Sequence, residues 1–442
     1  MIRGMDSYSL VSLLGIFGFM LVAWVCSTDR RRVNWRVVGW GVGLQLALAA
    51  LIFQAPKSRE VFLWLNDVVV KVIDAARAGE RFLFGPLALP LGQKTAAGEP
   101  GVGFVLAIQV FPIIIFFSAL MALLYHYRIM PLVIRAFAWV FSRLMRISGA
   151  ESLCASSNIF VGIESATTIR PYLSKMTRSE FCTILTAGMA TVASSTLGAY
   201  VVFLSGVFST IAGHLISASI LSAPAAIVMS KLLVPEDGEP VTMGKRVELQ
   251  LEAEPNGIAA IVNGAMAGAK LVVGVAALLI AFLGLVALAN LALGGASGLF
   301  GAAKPWSLEM LLGYAMYPFA VMMGIPPPDA MQAGSLLGTR LVATEFPAYF
   351  ELAAWMGKEG AMAHPRTAVV MAYALCGFAH VASMAIFVGG ISALVPERRK
   401  DLAALGPRAL LAATLACLMT GAVAGLFYHP GAIVLEAAAK GG

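Results

Sequence analysis

The chain has 442 residues, of which 59% are hydrophobic and only 12% are charged. Soluble domains contain about 45–50% apolar and about 25% charged residues, so this composition excludes an ordinary soluble protein. The net charge of +7 does not indicate nucleic-acid binding, because the basic residues cluster in short loops, most clearly Thr28–Arg36 and Pro396–Lys400.

Several stretches without a charged residue are long enough to cross a bilayer, which takes about 20 residues. The first, Tyr8–Thr28, is longer than the apolar part of a signal peptide and precedes its basic cluster, so we expect a retained span. Leu10–Ser27 and Val38–Phe53 are the first two predicted spans, and Phe181–Ser230 is long enough for two, divided near Ser205. The other stretches are Val102–Tyr127, Leu271–Ala303, Thr367–Pro396 and Ala409–Tyr428.

Two further segments are too charged to span and are predicted to lie in the membrane interface. In Ser58–Arg81, the side chains of Asp67, Lys71 and Asp74 fall on one helical face. Arg128–Ile147 carries four arginines and no acid, interleaved with aromatic residues. For this second segment a tilted span is the alternative.

Two polar segments interrupt the apolar pattern. Glu151–Lys175 and Pro327–Met356 mix small polar residues, glycine and single charges into an apolar background, and each precedes a long uncharged stretch. Between the two halves, Val234–Pro255 is a charged, solvent-exposed loop. The polar segments are typical of helical hairpins that enter the membrane without crossing it.

The two halves share a short repeat. Gly188–Ser194 reads GMATVAS and Gly377–Ser383 reads GFAHVAS, so five of seven positions are identical. Small residues favour helix packing in membranes, and chance recurrence is therefore the alternative. The order of polar hairpin, carboxylate and heptapeptide also recurs, with Glu164 in the first half and Glu345 in the second. Paired broken segments of this kind are the signature of secondary transporters.

We therefore predict an all-α polytopic membrane protein with about eight transmembrane helices, interfacial helices and two re-entrant hairpins in an inverted-repeat core. Residues 1–100 are predicted to form a scaffold and 236–257 a hydrophilic loop. The first half of the core is 101–235 and the second is 258–442, each with one hairpin. Placing both basic loops in the cytoplasm predicts an inner-membrane protein with both termini in the periplasm.

The two embedded acids are the first candidates for chemistry. A carboxylate inside a membrane costs at least about 2.5–3.5 kcal/mol unless it is paired or faces water. Glu164 and Glu345 could ligate a cation, exchange a proton or accept hydrogen bonds from a solute. The alternative for each is a structural salt bridge, with Arg170 and Arg340 respectively.

Thr191 and His380 occupy the same position of the two heptapeptides. Thr191 could offer a hydroxyl and nearby carbonyls to an ion of the size of Na⁺, and Asn158 adds a polar group in the first hairpin. His380 lies near Phe378 and Ser383, and an imidazole can bind a polar solute or move a proton near neutral pH. Packing within the helix bundle is the alternative for this histidine.

The sequence contains no Walker motif and no nucleophile–base pair, so ATP-driven transport and catalysis are disfavoured. A cation-coupled symporter is the favoured interpretation. A transporter of another polar metabolite, a membrane enzyme and a sensor are the alternatives.

The chain resembles the concentrative nucleoside transporter family over nearly its whole length, most specifically from Asn158 to Tyr200 and from Thr344 to Arg399. SNIFVGIESATTIRPYLSKMTRSE, GMATVASSTLGAY, ATEFPAYFEL and YALCGFAHVASMAIFVGGISALVPERR carry the resemblance. It implies a homotrimer in which each protomer has its own site and couples nucleoside uptake to Na⁺ or H⁺.

The resemblance also implies residue roles. Glu164 and Thr196 would lie at the nucleobase, Glu345 with Ser383 would hold the ribose hydroxyls, and Phe378 would border sugar and base. The sodium site would consist of Asn158, Val161, Thr191 and Val192, largely through backbone carbonyls.

The chain departs from the family at two positions of the predicted substrate site. Gly162-Ile163-Glu164 lacks the glutamine that the family usually has at the hairpin tip. His380 stands where the family usually has a ribose-binding asparagine. A titratable side chain at this position makes proton coupling more plausible.

Overall fold

The computed structural model describes residues 6–89, 93–94, 98–245, 247–249, 254–301 and 305–429. In these residues all regular structure is helical, apart from one isolated bridge between Lys94 and Pro100. The predicted all-α class is therefore confirmed. Parts of the predicted hydrophilic loop, 246 and 250–253, and the end of the second half, 430–442, lie outside the described residues.

The N-terminal third begins with three helices, α1 (Ser7–Val25), α2 (Trp35–Gln54) and α3 (Pro56–Phe84). Side chains cap the first two, because Asp6 accepts from the amide of Ser9 at 2.7 Å and Asn34 accepts from that of Arg36 at 3.1 Å. The remaining helices are α4 (Leu106–Gln109), α5 (Phe111–His126), α6 (Ile129–Met145), α7 (Gly149–Asn158), α8 (Arg170–Leu173), α9 (Arg178–Ala190), α10 (Ser194–Leu204), α11 (Ile211–Leu233), α12 (Gly257–Leu299), α13 (Leu308–Met322), α14 (Pro327–Val342), α15 (Glu345–Met356), α16 (Pro365–Ala374), α17 (Val381–Leu394) and α18 (Arg399–Phe427).

Seven helical stretches in the described parts of the chain are long and apolar enough to cross a membrane. The predicted division near Ser205 is confirmed, since α10 ends at Leu204 and α11 begins at Ile211. Helices α16 and α17 are too short to be counted singly; taken as one interrupted span they would raise the number to eight, which stays a prediction. The seven are Ser7–Val25, Trp35–Gln54, Leu106–His126, Arg178–Leu204, Ile211–Leu233, Gly257–Leu299 and Pro396–Phe427.

The two segments expected at the interface are helical, as α3 and α6. Neither is among the seven stretches that could span. On α6, Leu132 and Trp139 are exposed to 71% and 57%. Exposed apolar residues beside exposed arginines suit a helix that lies in a bilayer surface, and this location stays a prediction.

The two polar segments fold as helical hairpins. In the first, α7 is followed by a turn, a 3-10 helix (Ile163–Ile169) and α8; in the second, α14 is followed by α15 after a break at Thr344. At about 1.5 Å per residue, α7 and α14 are about 15 and 24 Å long, less than the roughly 30 Å of the bilayer interior. These lengths suit limbs that do not cross, and re-entry from one side of the membrane stays a prediction.

Each hairpin begins with a buried acid at the third position of its first helix. In α7, Glu151 lies 2.7 Å from the Nζ atom of Lys231, which also donates to the hydroxyl of Ser179 at 3.0 Å. In α14, Asp329 accepts from the hydroxyl of Thr367 at 2.6 Å. Ser179 and Thr367 both lie in the first turn of the helix that follows the hairpin. The duplicated core therefore joins each hairpin to its interrupted helix at the same place, through Lys231 in the first half and directly in the second.

The two interrupted helices meet at a glycine. A Cβ atom on Gly377 would lie 2.8 Å from the carbonyl oxygen of Ala190, and also against the sulfur of Cys417. Gly188 of α9 packs in turn against the ring of Phe387 in α17. Small residues at both positions of the repeat thus permit backbone contact between the two halves.

Both basic loops lie at one end of the helix bundle, called the basic end below. Arg366 is buried at the opposite end, where it donates to the Asp6 carboxylate at 3.3 Å and to the carbonyl of Gly425 at 2.7 Å. The start of α1 and the end of α18 therefore lie together, away from the basic loops. Three hydrogen bonds join segments of the basic end: Thr28 N to Leu233 O at 2.9 Å, Ser179 Oγ to Val234 O at 2.7 Å, and Arg398 Nη1 to Met176 O at 2.8 Å.

Candidate solute-binding site

A cavity of about 380 Å³ lies between the two hairpins, the two interrupted helices, and a wall formed by α5 and α12. Sites for small organic ligands usually measure about 300–1,000 Å³. All six residues predicted to bind the solute line this cavity, namely Glu164, Thr196, Glu345, Phe378, His380 and Ser383. These six residues, which the cavity brings together, lie up to 219 positions apart in the sequence.

The wall from α5 and α12 is mainly apolar. Ser118, Met121 and Tyr125 of α5 line the cavity together with Leu271 and Val275 of α12. The two helices approach closely because Gly264 and Gly268 of α12 lie directly against the backbone and small side chains of α5. The polar groups of the cavity are thus concentrated on the hairpins and the interrupted helices.

The first helix interruption is a three-residue extended segment, Thr191–Ala193, between α9 and α10. Thr191 has φ −109° and ψ 168°, and its amide still donates to the carbonyl of Ala187 at 3.2 Å. The amide of Ser194 donates to the carbonyl of Phe160 at 2.9 Å. The interruption is therefore held against the turn of the first hairpin.

The second interruption ends at His380, which caps α17. Its Nδ1 atom accepts a hydrogen bond from the amide of Ser383 at 3.2 Å, and the hydroxyl of Ser383 donates to the carbonyls of His380, at 2.9 Å, and Phe378. An Nδ1 atom that accepts cannot carry a proton, so the arrangement assigns the ring proton to Nε2. His380 therefore caps α17 through Nδ1, and its Nε2 atom faces Glu345 in the cavity.

Glu345 is the buried acid of the cavity. Its Oε1 atom accepts from the hydroxyl of Tyr200 at 2.7 Å, and its Oε2 atom lies 2.9 Å from Nε2 of His380. The latter contact is close but poorly aligned, so Oε2 has no hydrogen-bond partner among the described residues. A buried acceptor of this kind is costly unless something donates to it.

Among the ion pairs of the described residues, none joins Glu345 to Arg340, which was the alternative role of this acid. Arg340 instead donates from Nη1 to the carbonyl of Ala374, at the end of α16. The carbonyls at the end of a helix lack partners within it, and the guanidinium satisfies one of them there. The side chains that contact the Glu345 carboxylate are therefore those of Tyr200 and His380.

Glu164 is exposed and borders the cavity from the first hairpin. In the part of the chain that the structure describes, no ion pair joins it to Arg170. The hydroxyl of Thr167 donates to the carbonyl of Glu164 at 2.6 Å, which fixes the local backbone. Its carboxylate is therefore available to a solute.

The four residues predicted to bind sodium lie where α7 and α9 end. The hydroxyl of Thr191 is 2.6 Å from the carbonyl oxygen of Asn158 and 2.8 Å from that of Ala187. Val161 lines the cavity, whereas Asn158, Thr191 and Val192 are buried beside it. The carbonyl ends of two helices carry partial negative charge, and hard cations prefer such oxygen ligands. The donor set fits a small monovalent cation.

Sequence reasoning did not select three polar residues of the site. Tyr200 lies behind the lining and is hydrogen-bonded to Glu345. Tyr125 and Thr344 line the cavity, and their hydroxyls have no hydrogen-bond partner among the described residues. Tyr200 follows Thr196 by four residues, and that spacing places both on one face of a helix. This spacing was the available signal for Tyr200.

Family models cover most of the chain. Residues 14–87 match the N-terminus and 214–425 the C-terminus of the Na⁺-dependent nucleoside transporter family, and 107–207 match a nucleoside recognition domain. Together they include the cavity and the adjacent oxygen cluster.

The chain is also similar to individual proteins. It is 40% identical to the uncharacterized transporter YutK of Bacillus subtilis, over 94% of this chain and 98% of the relative. It is 36% identical to the nucleoside permease NupC of Helicobacter pylori, over 95% and 98%. It spans 60% of the length of human solute carrier family 28 member 3, at 36% identity.

Among solved structures, the inward-facing, substrate-bound state of CNTnw superposes with a TM-score of 0.85 at 37% identity, over 95% of this chain and 98% of that one. Agreement in fold and sequence over nearly the full length of both chains is sufficient for assignment. The chain is a multi-pass membrane protein that belongs to the concentrative nucleoside transporter family.

Proposed function

We propose that the protein is a symporter that imports nucleosides, or closely related solutes, by alternating access and draws on a Na⁺ gradient. The observation that carries the proposal is the buried carboxylate of Glu345, whose Oε2 atom faces His380 without an aligned hydrogen bond, in a cavity flanked by helix-end oxygens at Asn158 and Thr191. One cavity thus combines an acceptor for sugar hydroxyls with neighbouring ligands for a cation.

The ribose would bind at Glu345. Vicinal hydroxyls are donors, and a carboxylate oxygen without a partner is the acceptor that gains most from them. Ser383 lies within the same cap as His380, and Phe378 offers an aromatic edge to sugar and base. Glu164 and Thr196, at the opposite part of the lining, would face the base.

Sodium would bind at the carbonyls of Asn158, Val161 and Val192 and the hydroxyl of Thr191. Broken helix ends with unpaired carbonyls are the usual cation sites of secondary transporters. Asn158 and Val161 belong to the turn that also carries Glu164, so cation and solute would order the same segment. Coupling between the two sites is then reciprocal, because each ligand stabilises the conformation that the other binds.

Proton coupling is the second candidate. The observation that favours it is the 2.9 Å contact between His380 and Glu345, since an imidazole beside a carboxylate can exchange a proton in the physiological range. A divergent member that carries another polar metabolite is compatible with the same cavity, because the first hairpin tip lacks the glutamine.

We also propose an inner-membrane location with the basic end in the cytoplasm and both termini in the periplasm. The joint position of the basic loops supports this orientation. Helix α12 supports the proposed homotrimer, because only 6% of its most apolar 18-residue stretch is buried within the protomer. This surface would therefore face lipid or another protomer. The proposed scaffold is 1–100, and the halves 101–235 and 258–442 each supply one hairpin.

The test is uptake of labelled uridine and adenosine into proteoliposomes, with Na⁺ and pH gradients imposed separately. Uptake that responds to the Na⁺ gradient at constant pH supports the proposal. A response to the pH gradient alone would support proton coupling. No uptake of either nucleoside under either gradient would contradict the substrate assignment.

A further inference from the structure

A second cavity, a groove of about 660 Å³, lies at the C-terminal end of α6. One side consists of the end of α6, and the other of the turn at 243–245 in the hydrophilic loop. Three cations, Arg143, Arg146 and Lys245, line it, and no acidic residue is among the described residues that do. The remaining lining residues are Trp139, Ser142, Ile147, Met243 and Gly244.

In the described parts of the chain, the three cations have no carboxylate partner. Within the described ranges no Asp or Glu oxygen lies within 4.0 Å of Arg143, Arg146 or Lys245, and all three are exposed. Glu236, earlier in the same loop, is paired with Lys231 at 3.3 Å. A single cation near the carbonyl end of a helix is stabilised by the helix dipole. The dipole does not explain why three cations, one of them from the loop, line the same groove. Their convergence points to an anionic ligand.

The groove belongs to the basic end of the bundle. The hydrophilic loop follows directly after α11, whose last residue, Leu233, accepts from the amide of Thr28. Trp139 borders the groove and is 57% exposed. The apolar Leu132, earlier on the same helix, is 71% exposed. Tryptophan concentrates at the boundary between lipid and water. Cationic and apolar groups therefore lie together at the depth where phospholipid headgroups are expected.

We propose that this groove binds the headgroup of an anionic phospholipid from the leaflet at the basic end. Arg143 and Arg146 would hold the phosphate, since a guanidinium donates two parallel hydrogen bonds to a phosphate. Lys245 would neutralise the remaining charge from the loop. Trp139 and Met243 would lie along the glycerol and the first part of the acyl chains. A free phosphate shares the anionic chemistry but has no use for these apolar groups.

The groove is connected to the first hairpin. The amide of Gly149, the first residue of α7, donates to the carbonyl of Thr242 at 3.0 Å, and Gly149 lies directly against the carbonyl of Lys245. A lipid bound between Arg146 and Lys245 would therefore hold the loop against the base of the hairpin. Such a lipid would stabilise the full-length protein against thermal unfolding.

The test is native mass spectrometry of the purified, delipidated full-length protein, titrated with phosphatidylglycerol, with phosphatidylcholine and with inorganic phosphate. The test variant is Arg143→Gln with Lys245→Gln. The matched control is Arg36→Gln with Arg135→Gln, which removes the same charge from exposed sites outside the groove. We expect phosphatidylglycerol to bind about 30-fold more weakly to the test variant and within about twofold of wild type to the control.

Equal losses in both variants would overturn the proposal, because general surface charge would then explain binding. Equal affinity for phosphatidylcholine would overturn it as well. Displacement of phosphatidylglycerol by inorganic phosphate would show an anion site without a lipid role. Thermal unfolding without lipid checks that both variants are folded, and a lipid-induced stabilisation confined to wild type and control would support the link to the hairpin.

Discussion

The hydroxyl of Tyr200 donates a 2.7 Å hydrogen bond to Glu345 although the two residues are 145 positions apart. Tyr200 belongs to the interrupted helix of the first half and Glu345 to the hairpin of the second. The ring of Tyr200 is itself fixed by stacking on Tyr349, with centroids 4.7 Å apart. The bond therefore orients the buried carboxylate so that its second oxygen faces His380 and the cavity.

Replacement Tyr200→Phe should weaken nucleoside binding by about 10- to 100-fold, because a buried hydrogen bond to a charged acceptor contributes about 1.5–3 kcal/mol. The concentration for half-maximal uptake in proteoliposomes measures the effect. Tyr349→Phe is the control, since its hydroxyl donates to the carbonyl of Ala372 rather than to Glu345. Equal affinities in Tyr200→Phe and wild type would refute the orienting role.

Replacement His380→Asn should keep α17 capped, since asparagine is a good N-cap residue, while it removes the imidazole that lies 2.9 Å from Glu345. We expect uptake to persist and its dependence on pH between about 5 and 8 to flatten. His364→Asn is the control, because His364 caps α16 in the same way, through Nδ1 and the amide of Arg366. A pH profile that changes equally in both variants would point to helix capping instead.

Replacement Thr191→Val should raise the Na⁺ concentration for half-maximal uptake by about tenfold, because one oxygen ligand is lost. The maximal rate at high Na⁺ should survive, since backbone carbonyls remain. Thr186→Val, at a buried position of the preceding helix α9, is the control. The Thr186 hydroxyl lies 3.5 Å from the carbonyl of Ala409 and does not belong to the predicted sodium site. An unchanged Na⁺ response in Thr191→Val would exclude the hydroxyl as a ligand.

Glu80 on α3 makes the stability of the fold depend on pH. Burial raises the pKa of this carboxyl to about 7, against the opposing charges of Arg77 and Arg81, and its Oε2 atom has no partner among the described residues. The folded state therefore holds the proton more tightly than the unfolded state does. Its favourable contribution is complete below about pH 4.5 and is lost as the pH rises through about 7.

Glu80→Gln should accordingly stabilise the protein at pH 8 by on the order of 1 kcal/mol, after discounting for solvent screening, and change little at pH 4.5. Thermal unfolding of the detergent-solubilised protein at both pH values measures this. Glu60→Gln, at an exposed position of the same helix, is the control. A stabilisation that does not depend on pH would contradict the assignment.

The local features of the fold could be predicted from the sequence. Uncharged stretches predicted the long helices, and the polar segment Pro327–Met356 predicted the limits of α14 and α15, because composition determines which residues can face lipid. The first interruption, Thr191–Ala193, lies within its heptapeptide, whereas the second begins at Leu375, before the heptapeptide at Gly377–Ser383, and ends at His380.

Pairing between distant residues could not be predicted. Arg340 is the cation nearest in sequence to Glu345, yet it bonds to the end of α16, while His380 and Tyr200 reach the carboxylate. Sequence proximity is a poor guide where hairpins fold back on other helices. Helix α12 shows a related effect. The uncharged stretch starts only after Lys270, but the helix begins earlier, at Gly257, and its glycines in this first part pack tightly against α5.

The contact between Gly377 and the carbonyl of Ala190 limits how the molecule can move. Because even a methyl group has no room there, the backbones of the two interrupted helices are in direct contact at this point. A rearrangement of the core that keeps this contact would move both helices as one body, together with Thr191 and His380 at their interruptions.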